Sequence, residues 1–341
     1  MFFFEEPLFH HGAAELEVTQ TEHRVQRVVP KLPHGTPDVS LQLKKMIDTL
    51  LTTQNIRRYD LWYYTPMALP FTRHLEPQLV VYDVMDELKN FKFAPPELLT
   101  FERELYQLAD VVFTGGESLY QAKKHLHRDV HAFPSSVDVP HFVRARTQKT
   151  DPEDQANIPH ARLGFFGVID ERMDLELVEA LATLQPDWQL VMVGPVVKID
   201  PAHLPRRPNI HWLGGKKYDQ LPDYISGWDV AIMPFALNDS TKFISPTKTP
   251  EFLAAGRPVV STSITDVVKP YGELDLVRIA DDAEGFRAAV KAALADDRRQ
   301  HIRRSDAFLA AMSWDMTWHR MSTAMQEARE RRLASVKSQA A

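Results

Sequence analysis

Short apolar, β-branched runs alternate with longer segments of helical periodicity along the chain. In the first half, the runs Phe2–Phe4, Val25–Val29, Tyr59–Tyr63, Leu79–Tyr82, Val111–Thr114 and Val130–Phe133 predict strands. Helices are predicted between some of them, at Ser40–Thr53, Pro96–Ala109 and Glu117–Leu126, where apolar residues recur at three- and four-residue spacing. The second half predicts strands at Leu163–Phe166, Gln189–Val193, Ile210–Leu213, Val230–Met233, Pro258–Ser261 and Leu276–Ile279. Helical patterns at Leu175–Leu184, Tyr218–Ile225, Thr249–Ala255 and Glu284–Ala295 fill the gaps. Near-continuous apolar strands alternating with helices predict parallel sheets covered on both faces, so the expected class is α/β.

The stretch Arg144–His160 reads RARTQKTDPEDQANIPH, polar and nearly free of large apolar residues. It predicts a linker or exposed loop. The expected organisation is an α/β domain over 1–145, a linker over 146–160, a second α/β domain over 161–305, and a C-terminal helix and tail over 306–341. Trp314, Trp318, Met321 and Met325 share one helical face, which reads as a packing stripe. Two doubly wound halves would face each other across a cleft. In open α/β sheets ligands lie beyond the carboxyl ends of strands, so residues just after strands become the candidates.

Composition narrows the function. The chain has 341 residues, 44% of them hydrophobic and 25% charged, which is ordinary for a two-domain globular protein. It contains no cysteine, which excludes disulfide scaffolds, thiolate metal sites and cysteine nucleophiles, and fits a cytoplasmic protein. A net charge of −6 argues against nucleic acid as a partner. No apolar run is long enough to span a membrane, and MFFFEEP lacks the basic start of a signal peptide. Residues 298–341 carry 9 Lys/Arg against 4 Asp/Glu. That excess reads as a solvated basic helix end, with a weak peripheral contact to an anionic inner-membrane surface as the alternative.

Three stretches could carry chemistry. In STKFISPTKTPEFLAAGRPVVST, Ser245-Pro246-Thr247 reads as a helix start whose free N–H groups would attract an anion, with Lys242 and Lys248 adding positive charge. Glu251 in that helix could accept hydrogen bonds from a diol such as ribose. The plain alternative is a capped helix with surface charges. In FFGVIDERMD, strand, Gly167 and a short loop resemble a phosphate-binding turn, with Arg172 able to reach an anion or simply solvated. The lone glycine excludes the GxGxxG and Walker patterns. In VVYDVMDELKNF, Asp83 and Asp86 stand at a strand end, as an acid/base pair, as sugar-hydroxyl partners or as turn caps. His125, His127 and His131 straddle a helix end and a strand start, poor spacing for a metal, and no Asp-x-Asp triplet occurs.

Taken in order, these stretches resemble a retaining GT-B glycosyltransferase of the glycosyltransferase group 1, family 4-like kind, over about residues 1–330. SPTKTPEFLAAGRPVVS resembles the family's donor-binding helix, in which a glutamate holds the nucleotide ribose; that position is Glu251. FFGVIDERMD resembles the first strand-turn of the donor domain. NIHWLGG and LPDYISGWDVAIMPF resemble the base-contacting turn and the elements after it, which implies that Gly214 and Gly215 admit the base. LADVVFTGGESLYQA and FPSSVDVPHF resemble the end of the acceptor domain. The family's earlier glutamate corresponds to Phe243, so Lys242, Ser245, Thr247 and Lys248 would take its place near the donor sugar and phosphates. Asp83 stands near the place of the family's acceptor-side histidine. Phe2–Phe4 with Glu5-Glu6-Pro7 resembles the family's second strand, so the first strand-helix unit is expected to be missing.

The resemblance implies transfer of a sugar from a nucleotide-sugar substrate, UDP- or GDP-linked, to a carbohydrate or lipid-linked acceptor in cell-surface polysaccharide synthesis, with no cofactor and no metal. Glu251 would hold ribose. Arg172 and Lys248 would stabilise the leaving diphosphate, and Asp83 and Asp86 would orient sugar hydroxyls. Two other readings stand beside it: a non-catalytic or partner-dependent subunit of the same fold, and a nucleotide-sugar epimerase.

Overall fold

The computed structural model describes residues 1–148 and 150–339. The chain forms two compact units. Among the described residues, one comprises 1–82, 96–110 and 331–339, and the other 83–95, 111–148 and 150–330.

In the first unit, β1 (Phe2–Phe4), β2 (Leu8–His10), β3 (Glu15–Gln20) and β4 (Gln26–Pro33) make one sheet. β1 and β2 run parallel to successive halves of β4, and β3 lies antiparallel to it. Only β4 is apolar enough to be core, with Val28, Val29 and Leu32 buried, while Phe2, Phe3, Leu8 and Phe9 are exposed. The helix Val39–Thr53 starts where the Asp38 carboxylate accepts the Leu41 N–H at 2.8 Å. It buries Leu43, Ile47 and Leu50, one side of the helix. β5 (Leu61–Tyr63) pairs in parallel with the first residues of β6 (Val80–Val84).

In the second unit, β7 (Val111–Thr114) pairs in parallel with β8 (Val130–Ala132). A six-stranded sheet follows, from β9 (Arg162–Phe166), β10 (Gln189–Val193), β11 (Ile210–Gly214), β12 (Val230–Met233), β13 (Val259–Ser261) and β14 (Val277–Ile279). Every pair is parallel, in the order β11-β10-β9-β12-β13-β14. β9, β10 and β12 bury almost every residue, as strands covered on both faces must. The winding reverses between β9 and β12, which makes their carboxyl ends the expected ligand position of a doubly wound sheet.

Two expectations change. The described residues of the polar stretch Arg144–His160, all but Lys149, are built into the second unit. Gln155 is fully buried, donating to the Tyr224 carbonyl at 3.0 Å and accepting from Trp228 Nε1 at 2.9 Å, and Arg162 pairs with Asp151 at 2.6 Å. Internal partners compensate its polarity. Of the stripe Trp314, Trp318, Met321 and Met325, the two tryptophans are exposed and the two methionines half-buried, and the last helix, Trp314–Gln339, buries Ala324 and Ala328 more deeply. Among the described residues no helix is long and apolar enough to cross a membrane.

Candidate functional site

The chain leaves β9 at Gly167, whose φ of +142° favours glycine, and the Gly167 N–H donates to the Val193 carbonyl at 2.9 Å. A Cβ on Gly167 would lie 2.1 Å from Lys248 Cε and 2.8 Å from Nζ. The missing side chain is therefore the space the Lys248 side chain occupies. One on Gly194 would lie 1.7 Å from the Gly167 carbonyl oxygen, so the next strand end is fitted equally closely.

Lys248 opens the short helix Lys248–Ala254 after β12, with Nζ 5.9 Å and 6.0 Å from the ring centres of Phe165 and Phe166. Burial pushes its ammonium down from the ordinary lysine range and Arg172 pushes the same way, while Glu251 and Asp170 oppose them. The side chain nonetheless keeps part of its surface in solvent. Glu251 lies on the same helix. Burial pushes its carboxyl up to about 7 against the attraction of Lys248. Its Oε2 is buried with no hydrogen-bond partner among the described residues. Buried acceptors usually have a partner, so this oxygen is open to a donor brought by a ligand or by water.

Arg172 is held by Asp170. Nε reaches both carboxylate oxygens, at 3.0 Å and 3.1 Å, and Nη2 reaches one at 2.7 Å. That hydrogen-bonded pairing raises the guanidinium above its usual value. The Arg172 carbonyl accepts from Ala236 N–H at 2.9 Å, tying the loop after β9 to the loop after β12. Asp86 faces the same charge: burial raises its carboxyl and Arg172 counters. Asp83 is buried within β6.

Gly167, Arg172, Lys248, Glu251 and, through Arg172, Asp86 thus form one cluster at the strand reversal. The other candidates lie around it. Lys242 is exposed, 5.4 Å from the Phe243 ring, and borders a cavity of about 480 Å³ with Leu237, Thr241 and Ile264. Gly214 turns at φ +71° with its carbonyl bonded to the Gly194 N–H, and Gly215 sits by Pro195. Ser245 and Thr247 do not cap the helix. Thr247 already has helical backbone angles, from which its hydroxyl cannot turn back to the first N–H groups, and Ser245 packs against Gly116. His127 and His131 both bind Asp129, and the described residues contain no group of three metal-ligating side chains. The sequence reading missed Asp170, two positions before Arg172 in a stretch it had singled out, and Tyr218, three after Gly215.

The parallel doubly wound sheet matches the GT-B glycosyltransferase fold of its structural neighbours. Residues 160–296, which carry the six-stranded sheet, match the model of the family Glycosyl transferases group 1. Among curated proteins the chain is similar to the putative teichuronic acid biosynthesis glycosyltransferase TuaH of Bacillus subtilis (strain 168), 28% identical over 251 residues. The match spans 67% of this chain and 63% of the relative's length, so the chain corresponds to less than two thirds of that protein. Among solved structures, the sucrose-phosphate synthase of Thermosynechococcus elongatus superposes with a TM-score of 0.68 at 15% identity, covering 94% of this chain and 88% of that one. HepE of Anabaena, solved in complex with UDP and glucose, gives a TM-score of 0.62 at 14% identity, covering 86% and 85%.

Proposed function

We propose that the protein is a glycosyltransferase that moves a sugar from a nucleotide-sugar donor, UDP- or GDP-linked, to a carbohydrate or lipid-linked acceptor in cell-surface polysaccharide synthesis. One observation carries the reading: a buried carboxylate oxygen of Glu251 without a partner among the described residues stands beside Lys248, which in turn lies within electrostatic reach of Arg172, at the strand reversal. A nucleoside diphosphate supplies what that arrangement lacks. Its ribose hydroxyls donate to Glu251, and its diphosphate meets Lys248 and Arg172. The UDP and glucose held by the structural neighbour HepE support the same ligand class, and the teichuronic acid relative supports glycosyl transfer in polysaccharide synthesis.

In this reading Lys248 and the Asp170-held Arg172 stabilise negative charge as the glycosidic bond to the leaving diphosphate lengthens, without a metal. Preorganisation matters here, because Arg172 is fixed before the ligand arrives. Gly167 lets Lys248 reach the strand end, Gly214 and Gly215 admit the base, and Asp86 and Asp83 orient sugar or acceptor hydroxyls. Lys242, Ser245 and Thr247 line the approach to the donor sugar. The anomeric configuration is retained. The test is incubation with UDP-, GDP- and ADP-linked sugars and lipid-linked or oligosaccharide acceptors, following nucleoside diphosphate release and the product's anomeric signal by NMR. A product with retained configuration from one donor supports the reading; no consumption of any donor overturns it.

A further inference from the structure

Tyr218 is not used above, and its setting is unusual. It opens a short helical turn just beyond Gly214 and Gly215. Its ring lies 4.2 Å from the His141 ring at an interplanar angle of 11°, a face-to-face stack. His141 is fixed at both ends: its Nε2 meets the Tyr218 carbonyl at 3.2 Å, and its backbone N–H donates to Asp138 at 3.1 Å. Phe142, fully buried, stands edge-on to Tyr218 at 5.7 Å and stacks on Phe166, the residue before Gly167. Despite these constraints Tyr218 remains 49% exposed. One face of a rigid ring is covered by imidazole, and the surface it keeps in solvent is available to a second flat partner. Glu251 and Asp138 lie within electrostatic reach and, with burial, hold the phenol protonated.

We propose that Tyr218, backed by His141, is the platform on which the donor's nucleobase stacks. The proposal rests on the donor reading above, in which Glu251 holds the ribose, one glycosidic bond from the base. An aromatic ring fixed in advance loses little freedom when a base settles on it, and every base offers a π-face, so the platform supplies affinity to any nucleotide. Choice between bases then falls to hydrogen-bonding groups elsewhere, such as the backbone at Gly214 and Gly215.

The test is calorimetric titration of the full chain with UDP, GDP and inorganic pyrophosphate, which has no base. The proteins are wild type, Tyr218→Phe, Tyr218→Leu and Tyr218→Ala, with melting temperatures recorded for each. Tyr218→Ala and Tyr218→Leu should bind UDP and GDP on the order of tenfold more weakly, and Tyr218→Phe within about twofold of wild type. Pyrophosphate should bind all four alike. Nucleotide affinity unchanged in Tyr218→Ala and Tyr218→Leu would overturn the proposal. So would a loss in Tyr218→Phe equal to that in Tyr218→Ala, or a parallel loss of pyrophosphate. Wild type that binds pyrophosphate but no nucleotide, or neither, would overturn the donor reading itself.

Discussion

Methionine in place of Lys248 separates binding from stability. The side chain keeps most of its length and its place over Gly167 and near the Phe165 and Phe166 rings, but loses its charge. In the folded chain that charge is a cost, since burial pushes the ammonium down and Arg172 repels it. Removing it also takes from Glu251 the attraction that opposes its burial, so the carboxyl rises further above about 7 and becomes neutral, a form that burial tolerates. The melting temperature should therefore hold or rise. Nucleotide affinity should fall, because a charge-assisted hydrogen bond contributes about 1.5–3 kcal/mol, or roughly 10- to 150-fold in Kd. Calorimetry with UDP and GDP and a melting scan in the same buffer read both quantities. A variant that melts several degrees lower while binding nucleotide as wild type does would refute the reasoning and make Lys248 a structural residue.

Arg172→Ala should lower kcat by about 10²–10³-fold in a donor-turnover assay with a smaller change in KM, since the group is aimed at charge that grows in the transition state. Glu251 should leave a pH signature in stability. Its carboxyl ionises near 4.5 in the unfolded chain but near 7 in the folded one, so between those values the folded state holds the extra proton and stability declines as pH rises. Glu251→Gln should flatten that decline in urea midpoints measured below and above the window. Gly167→Ala should displace Lys248 and cost nucleotide affinity with a stability loss on the order of 1–3 kcal/mol. Gly194→Ala, whose Cβ meets rigid backbone at Gly167, should unfold at clearly lower urea than Gly167→Ala.

The second unit was largely legible because its strands are buried on both faces. Val111–Thr114, Gln189–Val193 and Val230–Met233 match their predicted limits, as does the helix Leu175–Leu184. β2 escaped notice because it is only three residues long, and β3 because the alternation of Glu15–Thr19 rests on just two apolar residues, Leu16 and Val18, in a largely exposed segment. The helix Arg298–Leu309 escaped because it buries only His301, Ser305 and Leu309 beneath a heavily charged surface. At the site, cations and a carboxylate near strand ends could be read from residue type and position. Asp170 could not, because its part is to hold Arg172, and that depends on how the loop between Phe166 and Leu175 folds back. Tyr218 and His141 lie far apart in sequence, so no local pattern announces their stack.

The central claim, that Glu251 and its neighbouring cations hold a nucleotide, is most directly tested by thermal-shift titration with UDP, GDP, ADP and their sugars, alongside Glu251→Ala. A ligand present at about 100 times its Kd stabilises the folded chain by about 2.7 kcal/mol. The account predicts a concentration-dependent rise in melting temperature with at least one of them, abolished in Glu251→Ala. No shift with any nucleotide, or an equal shift in Glu251→Ala, would contradict it.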